Sequence, residues 1–322
     1  MDIAEIGKIS AINKLFEGSG YDSNQEAASV HKLYSQGIDF DLTYNPLRHL
    51  GYKMGLSVVG ELYASFCKPK TLSVLVAISN RHTYEDVQKL WDGIVAAAKE
   101  HGVETMSLDL LPSNTGLSVS LSATGTKIEF KEQVQVNNFD VICLTGDVGA
   151  AYMGLNVLER EKIAFNNMAG VDPKQLAQPD LTKYKYILES YLSPFVNKNI
   201  LTRFSESGIV PSKGYFVTKG LAAAVNQLSS QTRFGAKIYL DKIPISSATF
   251  SMAEELNIDA VTAALNGGDD YKFIFVIPIA KAEKFRVDFQ DFDIIGHLAQ
   301  PEVGTVLVTP QGAEIELKDL SS

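Results

Sequence analysis

Asn266-Gly267-Gly268-Asp269-Asp270-Tyr271, running directly into Lys272-Phe273-Ile274-Phe275-Val276-Ile277, is the stretch on which the fold of this chain turns. Two glycines let the backbone turn tightly, two adjacent carboxylates follow, and an apolar run rich in β-formers predicts a strand. Such a turn can aim backbone N–H groups and acidic side chains into one cleft. Aspartate in a glycine turn also commonly caps a helix or turn, so the stretch alone fits a structural role equally well.

The neighbouring segments repeat the same grammar. Val141 to Leu144 is a short apolar strand, followed by Thr145-Gly146-Asp147-Val148-Gly149 and a helical pattern through Met153, Leu155 and Leu158. A turn between strand and helix can present helix N-terminal N–H groups to a phosphate. It matches neither the dinucleotide fingerprint nor the Walker A loop, so an ordinary turn competes with an anion site. Further along come a helix from Gly220, a strand at Ala236 to Leu240, helices near Ala253 and Ala260, and strands after Tyr271, Asp293 and Gly304.

Upstream, Ile3 to Phe16 reads as an amphipathic helix ending near Gly18, and Asn167 to Gln178 reads as loop. Leu72 to Ile78 predicts a strand. Thr83-Tyr84-Glu85-Asp86 has the capping-box pattern, and Val87, Leu90, Trp91, Ile94 and Ala98 recur at helical spacing, with Trp91 on the apolar face. Gly102 supplies the stop, and Val103 to Leu110 predicts another strand. Leu117, Val119, Leu121 and Ala123 alternate with polar residues, as in a strand with one wet face. The polar run Lys131 to Asn138 divides the chain into a segment 1–137 and a segment 138–322, each an α/β layered domain.

With 322 residues, 45% apolar and 21% charged, the chain has the make-up of a globular protein of two domains. A net charge of −9 gives no global basic field, so no nucleic-acid partner is expected. Cys67 and Cys143 sit in apolar neighbourhoods and read as buried free thiols. No signal peptide and no apolar span of membrane length are read, which makes the cytoplasm the expected location and a membrane partner unexpected. The five histidines lack ligand spacing, which argues against zinc, and no G-x-S-x-G elbow supports a serine hydrolase. Asp22, after a glycine loop, and Asp109, at the end of a predicted strand, are carboxylates of the kind that can meet across a cleft.

Taken in order, Gly37-Ile38-Asp39-Phe40-Asp41-Leu42-Thr43-Tyr44, the stretch TGDVGAAYMGL from Thr145 to Leu155, Lys242-Ile243-Pro244-Ile245, and LNGGDDY from Leu265 to Tyr271 resemble the thiamine-monophosphate kinases. These belong to the aminoimidazole-ribonucleotide-synthetase-like superfamily. The resemblance spans nearly the whole chain. It implies a two-domain α/β fold, a homodimer formed through the N-terminal domains, and transfer of the γ-phosphoryl of ATP to thiamine monophosphate with Mg²⁺ bridging the phosphates. It assigns phosphate contacts to Gly146, Asp147 and Gly149, and the charge of Lys32 and Lys219, which stand at family aspartate positions, adds these two as expected phosphate contacts. Substrate contacts fall to Asp39, Phe40, Gly267, Gly268, Asp269, Asp270 and Tyr271, and metal contacts to Asp22, Glu61 and Asp109.

Departures from the family pattern concentrate where metal would sit. The Gly-x-Gly-Asp-Asp loop is Gly18-Ser19-Gly20-Tyr21-Asp22, and the Ser/Thr-Asp pair is His31-Lys32. Gly-(Val/Ile)-His-Phe carries Asp39 in place of histidine. Asn-Leu-Ser-Asp reads Val58-Val59-Gly60-Glu61, and Gly-Gly-Asp reads Ser107-Leu108-Asp109. Asp-x-Ser-Asp-Gly-Leu reads Phe216-Val217-Thr218-Lys219-Gly220-Leu221, with both aspartates gone, and the aromatic tail is missing after Leu320. Exchanging Asp for Lys at two positions shifts site charge by about four units, and like charges a few ångströms apart repel by roughly several kcal/mol. A multi-Mg²⁺ cluster beside Lys32 and Lys219 is therefore unfavourable. Two functions are expected from this: a kinase with an altered site, or a paralogue that binds a nucleotide or phosphorylated ligand without turnover. In the second, the lysines neutralise phosphate directly.

Overall fold

Lys272–Ile277 is a strand buried on both faces, which is why its sequence is continuously apolar rather than alternating. It sits inside a seven-stranded sheet. The spatial order is Glu314–Glu316 (β11), Thr305–Val308 (β10), Gly235–Tyr239 (β7), Phe292–Ala299 (β9), Val141–Thr145 (β5), Lys272–Ile277 (β8) and Lys213–Val217 (β6). Only the β10–β7 pair is parallel. The computed structural model describes residues 8–17, 19, 29–130, 132, 134–167 and 181–318. The start of the predicted first helix, the Gly18 and Gly20–Asp22 part of the glycine loop, the predicted loop after Asn167 and the residues after Lys318 lie outside them.

A second sheet of four strands precedes it, in the order Ser29–Ser35 (β1), Ser118–Lys127 (β4), Cys67–Ile78 (β2) and Thr105–Pro112 (β3). The β2–β3 pair is parallel and is bridged by the Tyr84–Glu100 helix. That helix carries the predicted capping box: the Asp86 N–H donates to Thr83 and the Thr83 N–H to Asp86. Trp91 is half-buried against the core of this sheet. The chain passes from one sheet to the other between Lys127 and Val141. Both cysteines are buried free thiols. No helix of the described residues is long and apolar enough to cross a membrane.

One helix, Leu47–Ala64, was not legible from periodicity, and it positions the site. Thirteen of its residues are buried. Met54, Val58 and Leu62 pack on the four-stranded sheet, while Leu56, Val59 and Tyr63 join Phe216, Tyr271, Phe273 and Phe275 of the seven-stranded sheet. A helix covered on both sides needs no polar face, so its pattern shows no amphipathic stripe. Gly60 makes the close approach possible: a Cβ there would stand 2.2 Å from the Phe216 ring. Beyond Arg48 and His49 in its first turn, the polar residues Lys53, Ser57 and Glu61 recur four apart and face the junction between the sheets.

The remaining helices cover the larger sheet. Ala150–Asn167 follows β5, Leu221–Thr232 follows β6, and Ser247–Leu256 and Ala260–Asn266 lead into the acidic turn. Two short helices, Lys185–Leu192 and Ile200–Ser207, were also absent from the sequence reading; each is only eight residues long. Phe204 and the rings of Phe275, Phe285 and Phe289 form an aromatic cluster under them.

Candidate functional site

The two glycines of the acidic turn do different jobs. Gly267 has ordinary right-handed geometry and closes the Ala260–Asn266 helix; a Cβ there would meet the Tyr152 Cβ at 2.4 Å and the Ala263 carbonyl at 2.5 Å. Gly268 takes the left-handed conformation at φ +76, and so do Asp269 at +60 and Tyr271 at +54. Non-glycine residues there cost about 1–3 kcal/mol each and persist only where their surroundings over-determine them. Here the Asp269 N–H donates to the Thr218 carbonyl at 2.9 Å and the Tyr271 N–H to Val217 at 3.0 Å. The buried Tyr271 hydroxyl donates to the Lys53 carbonyl at 3.1 Å. The strain sends the two adjacent carboxylates in opposite directions.

Asp269 reaches into the junction between the sheets. Its Oδ2 receives the Lys53 ammonium at 3.1 Å, with the lysine side chain 7% exposed and the aspartate 38%. The same ammonium lies 3.7 Å from the centre of the Tyr191 ring, so a cation–π contact supplements the ion pair. Two turns further along the helix, Glu61 Oε1 receives Lys32 Nζ at 2.8 Å. Between the pairs, the Tyr34 hydroxyl donates to Ser57 Oγ at 2.7 Å. Burial chiefly raises the Tyr34 pKa, and the nearby charges of Asp269, Asp39 and Glu61 push it the same way, so these three acids surround one phenol. Asn45 donates to the Tyr191 hydroxyl at 3.3 Å and closes one wall. Lys219 follows β6, its backbone packs against Gly268, and its side chain is exposed.

Asp270 turns the other way, into the larger domain, and is 5% exposed. Its Oδ1 accepts the Gly149 N–H at 2.8 Å. The N–H expected to be open to phosphate is thus engaged by an internal carboxylate. Burial pushes the Asp270 carboxyl up to about 8, helped by repulsion from Asp269 and Asp147 and opposed by the Gly149 hydrogen bond and Lys272. Gly146 and Gly149 both have positive φ, and Asp147 Oδ1 accepts the Tyr186 hydroxyl at 2.5 Å.

Other predicted positions fall elsewhere. Phe40 is buried in the core of the four-stranded sheet, because the Gly37 turn delivers its ring inward. Asp39 accepts the Ser35 N–H at 2.7 Å within that turn. Asp109 does not end a strand: β3 continues to Pro112, and the Asp109 carboxylate is exposed and accepts the N–H of Leu110. Asp22 lies outside the described residues. Among the described residues, no group of three or more His, Cys, Asp or Glu side chains is placed to hold a metal ion. Sequence reasoning missed Lys53, Ser57, Tyr34 and Tyr191. For the first two the available signal was a polar residue every fourth position through the otherwise apolar run Tyr52 to Leu62.

Two packed α/β units joined by one central helix, with a strained acidic turn at their junction, make up an aminoimidazole-ribonucleotide-synthetase-like two-domain fold. Known proteins carry that further. A thiamine-monophosphate kinase of Buchnera aphidicola from Schizaphis graminum is 26% identical over 326 residues, covering 96% of this chain and 88% of that relative. A Methanocaldococcus jannaschii protein named for hydrogenase expression and formation is 24% identical over 315 residues, covering 92% and 86%. Among solved structures, the Aquifex aeolicus thiamine-monophosphate kinase complexed with AMPPCP and TMP superposes with a TM-score of 0.79 at 17% identity, covering 98% of this chain and 97% of that one. No family model matches the chain. Over nearly its whole length the chain is similar to thiamine-monophosphate kinases, as the motifs indicated.

Proposed function

We propose that this protein binds a nucleotide or other phosphorylated small molecule at the junction between its sheets, and that phosphoryl transfer to thiamine monophosphate is impaired or lost. The observation that carries this reading is the Lys32–Glu61 ion pair at 2.8 Å. The acid at a family metal position is held by an ammonium standing where the family has an aspartate.

The donor set does not fit a Mg²⁺ cluster. Magnesium needs several free oxygens in near-octahedral array. Glu61 is paired with Lys32 and Asp269 with Lys53, Asp39 is spent on a turn, and Asp109 is exposed on β3. The same set suits a phosphate. Lys32 and Glu61 have side chains 26% and 30% exposed, so a phosphate can reach them and compete with Glu61 for the ammonium, and the exposed Lys219 is proposed as a further contact. Phosphoryl transfer rests on positioning and charge neutralisation, and lysines supply charge without the bidentate geometry of a metal bridge. The retained family fold and the kinase relatives support the second reading, a working kinase with an altered site.

A kinase assay with ATP, Mg²⁺ and thiamine monophosphate separates the two, and robust turnover refutes loss of activity. For binding, ATP is expected to raise the melting temperature equally with and without EDTA; abolition by EDTA refutes lysine-based recognition. The double variant Lys32→Asp, Lys219→Asp is expected to make ATP binding Mg²⁺-dependent. We further propose a homodimer through the four-stranded sheet, supported by Leu75, Leu108, Leu110 and Leu111, all exposed on the adjacent strands β2 and β3.

A further inference from the structure

We infer that a pocket on the far side of the acidic turn is a second small-molecule site, taking a zwitterion that carries an ammonium and a carboxylate, of the free α-amino acid type. The pocket has a volume of about 200 Å³ and is bounded by Asp147, Tyr186, Glu189, Phe195, Asp270 and Lys272. That is below the roughly 300–1,000 Å³ of sites for drug-sized ligands and suits a small metabolite.

Its polar groups are left in a complementary state. Asp270 Oδ2 and Asp147 Oδ2 are both buried and both lack a hydrogen-bond partner, although the other oxygen of each carboxylate is engaged. Asp270 is 5% exposed, so solvent does not reach that oxygen. A buried acceptor without a partner is costly, and native structures seldom leave two in one place. The Lys272 ammonium also lines the pocket and makes no hydrogen bond or ion pair among the described residues; it stands beside Gly146, and Asp270 feels its field. Two carboxyl oxygens with an ammonium close by match an α-amino acid, whose own charged groups are adjacent: it brings N–H donors to the aspartates, its positive charge favouring ionisation of Asp270, and a carboxylate to the lysine. A simple cation leaves Lys272 uncompensated and is repelled by it. A simple anion faces the aspartates. Tyr186 and Phe195, the latter 71% exposed, offer rings to a ligand's side chain at the mouth.

The pocket is separate from the cleft because Asp269 and Asp270 point to opposite sides, so its occupancy stands independently of what the cleft binds. The test is thermal denaturation of the full chain with each standard L-α-amino acid at millimolar concentration, followed by calorimetric titration of any that stabilise. At least one is expected to raise the melting temperature in a concentration-dependent way, while its decarboxylated amine and its deaminated acid do not. Asp147→Asn and Lys272→Met are each expected to weaken that binding roughly 10- to 100-fold, the value of a charge-assisted hydrogen bond. Circular dichroism confirms folding of both variants; should Asp147→Asn fail to fold, Lys272→Met decides alone. The inference is overturned if no amino acid shifts the melting temperature, if the bare amine binds as tightly as the amino acid, or if the folded variants bind like the parent.

Discussion

Replacing Asp270 by asparagine isolates the consequence of burying one carboxylate. Asparagine keeps the oxygen that accepts the Gly149 N–H and removes the ionisation. The folded-state pKa is raised to about 8 from an ordinary value of 3.8, chiefly by burial. The folded protein therefore holds a proton that the unfolded chain has released, across a window from about pH 4 to about pH 8. Because the folded state binds more protons there, stability falls as pH rises through that window and levels off above it. The full shift corresponds to an upper bound of about 6 kcal/mol, and roughly half is expected because buried sites respond with a higher effective dielectric than dry protein. At about pH 3, below the unfolded-state value, parent and variant should have similar stability, since a protonated carboxyl and an amide leave similar groups in the pocket; at about pH 9 the variant should be more stable by roughly 3 kcal/mol. Urea denaturation of both proteins at a series of pH values measures the difference. Other titrating groups, such as the buried His101 whose pKa is lowered by burial, cancel because both proteins carry them. Parallel pH profiles for the two proteins would falsify the assignment of a proton to Asp270.

Three further outcomes follow from the junction and the sheet edge. Lys53→Met should cost about 2–3 kcal/mol in urea denaturation, less than the 3–5 typical of breaking a fully buried pair, because Asp269 is 38% exposed; a neutral effect refutes the pairing as a structural tie. Gly60→Ala should destabilise by about 1–3 kcal/mol, because its Cβ falls 2.2 Å from Phe216, and Phe216→Leu should recover part of the loss when combined with it. If the proposed dimer forms through the four-stranded sheet, Leu110→Asp should give a monomer in light scattering with little loss of monomer stability, since Leu110 is 50% exposed in the single chain; an unchanged oligomeric state removes β3 from the interface.

Much of the fold was legible because its signals are local. The capping box at Thr83, the alternation from Leu117 to Ala123 and the apolar runs before Thr145 and after Tyr271 each specify an element through contacts within a few residues. The Leu47–Ala64 helix escaped because its neighbours on both faces are hydrophobic, so the period that marks a surface helix is absent. The candidate site was legible in part. Asp269, Glu61 and Lys32 come together around Tyr34 and the Leu47–Ala64 helix, whereas Phe40 went to the core and Asp109 to an exposed strand. Side-chain identity and motif order alone cannot say which face of an element a residue takes.

By itself the sequence determined many of the strands and helices, the strand-turn-helix character of the Thr145 stretch, and the similarity to thiamine-monophosphate kinases. Only the tertiary structure decided which charge meets which. Lys32 finds Glu61 from a different element, Lys53 finds Asp269 across 216 positions of chain, and adjacent Asp269 and Asp270 are sent to opposite sides of a left-handed turn. Local pattern reflects the torsional and hydrophobic preferences of neighbours, while Coulomb interaction and desolvation depend on distance and burial in space, which exist only once the two sheets close on their common helix.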